Sequence, residues 1–230
     1  MKTIHDSQQL QTWLKFHNLD QIFPADNMPN MRLVSMEAGE QIYQTGETLQ
    51  KVHILVKGKL KIFFLQEDGS IYLIGFNDGF AILGDLELFE DYPLHNEVAA
   101  MEPSILIEID KKDLLRTCWD YPPFLRFLIK HVSQKFHSSS VKANALSRYP
   151  MESRLAAYLL TVYEEENQSV SFVKTNRYTD LANLLGCSYR HLHRTLQQFV
   201  SNGWIEKSGR HIRILDYEVL KDLAKDISYI

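Results

Sequence analysis

The spacing of apolar residues changes period several times along the chain, and each change predicts a different element. Leu10, Trp13, Leu14 and His17 recur at helical spacing behind Asp6 or Ser7, so Asp6 to His17 is expected to form a short capped helix. From about Arg32 to Ile109 the pattern turns to short β-rich runs divided by Gly and Asp: Val52–Val56, Leu60–Leu65, Ile71–Ile74 and Ile105–Ile109. Asp68-Gly69 between two of these runs is a strong signal for a two-residue hairpin. Many short strands at close spacing favour an antiparallel sandwich or small barrel over a parallel sheet.

Helical period returns from about Pro122 to Tyr149, where Pro150 stops it. Leu125, Ile129, Val132, Phe136, Ser139, Ala143 and Leu146 follow alternating four- and three-residue steps, the seam of a coiled coil. At 1.5 Å per residue such a helix is about 42 Å long, more than packing on one small domain requires. The seam is therefore a candidate dimer interface. Phe124, Phe127 and Leu128 widen the apolar face enough to lie against the β-rich domain as well. Ser139 and Ala143 are small, which suits either a close helix crossing or room for a ligand.

The last 80 or so residues read as helix (Met151–Glu166), strand (Ser169–Lys174), two short helices (Thr179–Leu185 and Ser188–Asn202), a hairpin around Ser208-Gly209-Arg210 and a final helix capped by Asp216. Within this stretch, Ala182 is small enough for a second helix to cross the first, and Gly186 supplies the positive φ of a tight turn. Ser188 sits at the N-cap position. Leu192, Leu196 and Phe199 mark one face of the helix that follows, and Tyr189, Arg190, His193, Arg194 and Gln197 the other. A structural helical hairpin needs no such gathering of donors, whereas a helix that reads a DNA groove does. Arg190 and Arg194, four residues apart, can both reach guanine N7 and O6. Tyr189 suits a thymine methyl or a phosphate, while Ser188, Thr179 and His191 suit phosphates. The tip Ser208–His211, with Arg210, forms a wing for the backbone or minor groove.

Charge supports this reading locally, although not globally. The 230 residues carry a net charge of −4, yet Lys174 to Arg213 holds seven Lys and Arg against Asp180 and Glu206. A basic module on an acidic body suits contact with phosphates. With 45% hydrophobic and 23% charged residues the chain can bury a sizeable core, and two domains are expected. Two cysteines, Cys118 and Cys187, are too few for a disulfide framework or a four-thiolate metal site, which fits a reducing cytoplasm. No apolar run approaches the roughly 20 residues needed to cross a bilayer.

In their order along the chain, Ala38-Gly39-Glu40, Gly46-Glu47, Val56–Ile62, Asp68-Gly69, Gly84-Asp85-Leu86-Glu87-Leu88-Phe89, the long helix and Gly186-Cys187-Ser188 resemble transcription factors of the Crp/Fnr superfamily over nearly the whole length. The segment Ser188–Leu192 is similar to its YeiL-like branch. The resemblance implies an α+β protein in three parts. Residues 1–120 would form a cyclic-nucleotide-binding-like antiparallel β-barrel of double-stranded β-helix (jelly-roll) type. Residues 121–149 would form a dimerisation helix, and 150–230 a winged helix-turn-helix. It further implies a cytoplasmic homodimer on pseudo-palindromic double-stranded DNA, its recognition helices roughly 34 Å apart, that contacts RNA polymerase and activates transcription.

Departures from the family pattern bear on the effector. Members that bind cAMP carry Gly-Glu and then Arg-Ser or Arg-Thr around the cyclic phosphate; here Gly84-Asp85 and Leu94-His95 align with them. A buried phosphate without its arginine forfeits a charge-assisted pair, so an effector other than cAMP is expected. Gly84, Asp85, Leu94, His95, Ser139 and Ser140 are the candidate effector pocket. The recognition helix lacks the family's Arg-Glu pair and with it an acceptor for cytosine N4, so its half-site should differ. The N-terminal cysteine cluster of oxygen-sensing members has no counterpart. An enzyme on a cupin-like barrel would need clustered His and Glu, which the β-rich region lacks. No catalytic residue, cofactor, metal or membrane partner is therefore expected. A ligand-binding module acting only through protein contacts would not need the recognition helix.

Overall fold

A computed structural model describes residues 1–65, 71–90, 92–161, 169–171, 178–209, 211–225 and 227, without the side chains of 71–73, 142, 145–147, 161, 169–171 and 180. The chain divides into two compact units, Met1–Gln134 and Lys135–Ile230.

The first unit opens with β1 (Lys2–Ile4) and α1 (Ser7–Phe16), the latter capped by Asp6, whose carboxylate accepts from the Gln9 amide at 2.9 Å. There follow β2 (Met31–Met36), β3 (Gln41–Tyr43), β4 (Lys51–Lys57), β5 (Lys59–Leu65), β6 (Ile71–Asp78), β7 (Ala81–Leu83), β8 (Glu97–Ala100) and β9 (Ser104–Asp110). They pair antiparallel into one sheet of order β1-β2-β9-β4-β7 and another of order β3-β8-β5-β6. Leu33, Ile54 and Ile107 of the first sheet join Leu60, Val98 and Ala100 of the second in one core. The predicted hairpin is present as the β5–β6 pairing, with Leu65 opposite Ile71; Asp68 and Gly69 lie outside the described residues. Between β4 and β5, Gly58 has φ +101°, and a Cβ there would sit 2.7 Å from Ser104 Cα.

Inside an otherwise apolar run, Glu108 of β9 is buried. Arg32 Nε on β2 bonds its carboxylate, Lys51 Nζ on β4 lies 3.1 Å away, and His53 Nε2 lies 3.4 Å away. His53 Nδ1 in turn lies 3.0 Å from the Tyr43 hydroxyl. Burial alone would raise the Glu108 pKa, but the hydrogen bonds from His53, Arg32 and Lys51 outweigh it and hold the carboxyl down at about 2.

Asp110 caps α2 (Lys111–Cys118). The long helix α3 (Pro122–Arg148) starts on two prolines, where the missing amides cost nothing, and stops ahead of Pro150 as expected. The boundary between the two units falls inside it.

The second unit contains α4 (Met151–Thr161), β10 (Ser169–Ser171), α5 (Tyr178–Leu184), α6 (Tyr189–Ser201), β11 (Ile205–Ser208), β12 (His211–Ile214) and α7 (Tyr217–Ala224). β10, β12 and β11 form a small antiparallel sheet. Leu155 and Leu159 of α4, Leu181 of α5, Leu192, Leu196 and Phe199 of α6, Ile212 and Leu220 share its core. The expected extensions of α4 to Glu166 and of β10 to Lys174 fall outside the described residues.

Candidate nucleic-acid interface

The connection between α5 and α6 is built from backbone geometry first. Gly186 has φ +62°; its amide donates to Asn183 O at 3.0 Å and the Cys187 amide to Ala182 O at 2.9 Å. That pair of bonds is a Schellman motif, which closes a helix and reverses the chain. Ser188 then starts α6, its hydroxyl accepting from the His191 amide at 3.2 Å. The turn and the cap stand where the sequence puts them.

α6 is divided by face. Leu192, Thr195, Leu196 and Phe199 are buried, while Tyr189, Arg190, His193, Arg194 and Gln197 are exposed. Arg190 and Arg194 make no ion pair among the described residues. Two uncompensated guanidinium groups on one face of a helix suit an anionic partner with acceptors in a groove. Ser188, the cap of α6, and Thr179, in the first turn of α5, are exposed, and His191 is half-buried. Arg210, Lys174 and Arg177 lie outside the described residues.

The wing is tied to α5 by a contact with no obvious sequence signal. Tyr178 donates its hydroxyl to Gly209 O at 3.3 Å, and Lys207 Nζ sits 4.3 Å from the centre of its ring. Arg213 and Glu206 face each other across the hairpin at 3.6 Å, so part of the basic charge counted from sequence is neutralised within the wing.

On α3, Ile129 and Phe136 are 65% and 74% exposed, and Ser139 and Ala143 are exposed as well. Leu125 and Val132 pack partly against the core of the first unit. The Leu146 side chain is outside the described set.

The candidate effector residues do not share one environment. Gly84 has φ +81°, and a Cβ there would lie 2.7 Å from Leu49 Cδ1 and 3.0 Å from the Tyr43 hydroxyl. Asp85 is buried. Leu94 is a core residue, its amide bonded to Glu47 O and its carbonyl to the Gly46 amide. His95 is exposed, as are Ser139 and Ser140, which belong to the second unit. A cleft of about 370 Å³ lies elsewhere, lined by Asn30, Arg32, Lys51, Glu108, Asp110 and Asp113. Cys118 is fully buried and burial raises its thiol pKa, which disfavours the reactive thiolate.

A two-sheet N-terminal unit joined to a winged helix-turn-helix defines a class of DNA-binding regulators. Residues 33–121 match the model of the cyclic nucleotide-binding domain, and residues 153–223 that of the Crp-like helix-turn-helix domain. The chain is 26% identical over 205 residues to regulatory protein YeiL of Escherichia coli O157:H7, covering 89% of this chain and 91% of that protein. It is 27% identical over 196 residues to electron transport regulator A of Shewanella oneidensis, covering 82% and 77%. The crystal structure of a CRP/FNR-family transcriptional regulator from Thermus thermophilus superposes with a TM-score of 0.72 at 20% identity, covering 85% of this chain and all of that one. The chain belongs to the Crp/Fnr superfamily.

Proposed function

We propose that the protein is a homodimeric, sequence-specific regulator of transcription that uses α6 to read the major groove of double-stranded DNA. The observation that carries this reading is the partition of α6, whose buried face holds the fold while Arg190 and Arg194 stand exposed without ion-pair partners among the described residues. Arg190 and Arg194 are assigned to guanine, and Tyr189 and His193 to flanking bases or phosphates. Ser188, His191, Thr179 and Arg210 are assigned to the backbone. Exposure of Ile129 and Phe136 supports pairing of two copies through α3, with Leu125, Val132, Ser139, Ala143 and Leu146 along the same seam. The division into a sensor (1–120), a dimer helix (121–149) and a DNA-binding domain (150–230) follows from the same reading. So does a cytoplasmic activator that contacts RNA polymerase; no helix among the described residues is long and apolar enough to cross a membrane.

An effector other than cAMP follows from Leu94, because a buried leucine offers no donor to a cyclic phosphate. Gly84, Asp85, His95, Ser139 and Ser140 remain the candidate effector residues.

Selection of sites from a random double-stranded DNA pool by purified protein tests the central claim. The expected product is a two-fold site with half-sites one helical turn apart, lost in Arg190→Ala/Arg194→Ala. Binding should also weaken steeply with salt. Survival of sequence-specific binding in the double variant would overturn the assignment of α6.

A further inference from the structure

α5 ends with its final carbonyls in need of donors, as every helix does. The Schellman bonds satisfy Ala182 and Asn183 and leave Leu185 O, at the last position before Gly186, to be met from outside the motif. Leu185 is itself fully buried, so solvent has poor access to it. The donor comes from α4. Arg154, only 9% exposed, reaches across and places Nη1 2.5 Å from Leu185 O. Its Nε is buried with no hydrogen-bond partner among the described residues. The same guanidinium acts on the next residue but one: burial raises the Cys187 thiol pKa, and the Arg154 charge pulls against it.

A buried cation aimed at one neutral carbonyl is an expensive way to close a helix, since desolvating the charge costs more than one hydrogen bond returns. Its location makes sense of it. Leu185 is three residues ahead of Ser188, the cap of α6, so whatever fixes this carbonyl fixes the turn from which α6 departs. The positive charge also meets the negative end of the α5 dipole.

We propose that Arg154 is a positioning residue for DNA recognition: by clamping Leu185 O from α4, it sets the direction of α6 and thereby the placement of Arg190 and Arg194. It touches no base. This rests on the reading of α6 as the recognition helix, and the test keeps the two claims apart.

The measurement is the ratio of specific to non-specific DNA affinity in the full-length chain. It is made at a temperature where circular dichroism shows each variant folded, for the parent, Arg154→Met and Arg154→Lys. Methionine fills similar space without a donor, and lysine keeps a charge and a donor but not the planar fork. Base contacts by two arginines contribute on the order of tenfold or more each, so misdirecting α6 in Arg154→Met should lower the ratio by about tenfold or more. Non-specific affinity and its salt slope should stay as in the parent, because they depend on charge rather than direction. Arg154→Lys, which keeps a donor but loses the fork, should fall between the two, a few-fold below the parent. A merely structural arginine would lower thermal stability, and specific and non-specific binding would fall together or not at all. A ratio within about twofold of the parent in folded Arg154→Met overturns the proposal. If Arg154→Met does not fold, Arg154→Lys decides: a lowered ratio supports the clamp, and an unchanged ratio with unchanged melting temperature overturns it. A parent protein without sequence preference would instead refute the reading of α6.

Discussion

Replacing Glu108 by glutamine should cost stability in a pH-dependent way that the buried carboxylate alone explains. The drop of its pKa from 4.5 to about 2 corresponds to about 3 kcal/mol at roughly 1.4 kcal/mol per pH unit. Because folding lowers this pKa, the contribution is complete above pH 4.5 and is lost as pH falls through 4.5 towards 2. Linkage puts it at about 3 kcal/mol at pH 7 and at about 1.4 kcal/mol at pH 3. Arg32 and Lys51 are 53% and 39% exposed at the side chain and can rehydrate when the carboxylate is removed, whereas His53 is buried. That places Glu108→Gln at the lower end of the roughly 3–5 kcal/mol typical of a broken buried pair. Urea unfolding followed by far-ultraviolet circular dichroism, whose sheet signal comes mainly from the first unit, measures parent and variant at pH 7, 5 and 3. All other carboxylates are common to both proteins and cancel in the difference. A gap between the two that is the same at pH 3 as at pH 7 would refute the reasoning.

Three further outcomes follow from features of equal simplicity. Ile129→Asp/Phe136→Asp places charge on the two most exposed large apolar side chains among the described residues of α3 and should weaken self-association by about 10³-fold or more; sedimentation velocity that still shows the parent's oligomer would count against the seam. Gly58→Ala forces a Cβ to 2.7 Å from Ser104 Cα at φ +101° and should cost about 3 kcal/mol, read as a lowered urea midpoint. Ser188→Ala removes the cap of α6 and should cost about 1 kcal/mol, visible as a lower melting temperature of the second unit.

Much of the second unit is legible in the sequence because its determinants are local. Ser188 and Asp216 cap the helices they precede, Gly186 takes the positive φ its position demands, and the 3.6-residue period alone sorts Leu192 and Phe199 from Arg190 and Arg194. Asp6 does the same for α1. The β-rich region is legible only as a class. β1 is three residues long and pairs with β2 some thirty residues away, a choice no local pattern encodes. β7 and β8 hide in short apolar stretches, and α2 is announced only by Asp110. Glu108 reads as an interruption of an apolar strand, since its partners come from β2 and β4, more than 50 residues away in sequence. Arg154 and Tyr178 are missed for the same reason: each reaches a carbonyl 31 residues on. Alignment alone groups the candidate effector residues, and in the fold Leu94 is part of the core while His95 is exposed.

The two faces of α6 answer to different selective demands. Tyr189, Arg190, His193, Arg194 and Gln197 are exposed and lie outside the buried cluster that holds the unit together, so surface changes there should alter stability by no more than about 0.5 kcal/mol. On the proposed reading of α6 as the recognition helix, target sequence would drift, or be rewritten by transplanting five residues, while the scaffold remains untouched. A lineage built on such a helix can acquire new operators one position at a time, without a compensating mutation in the core.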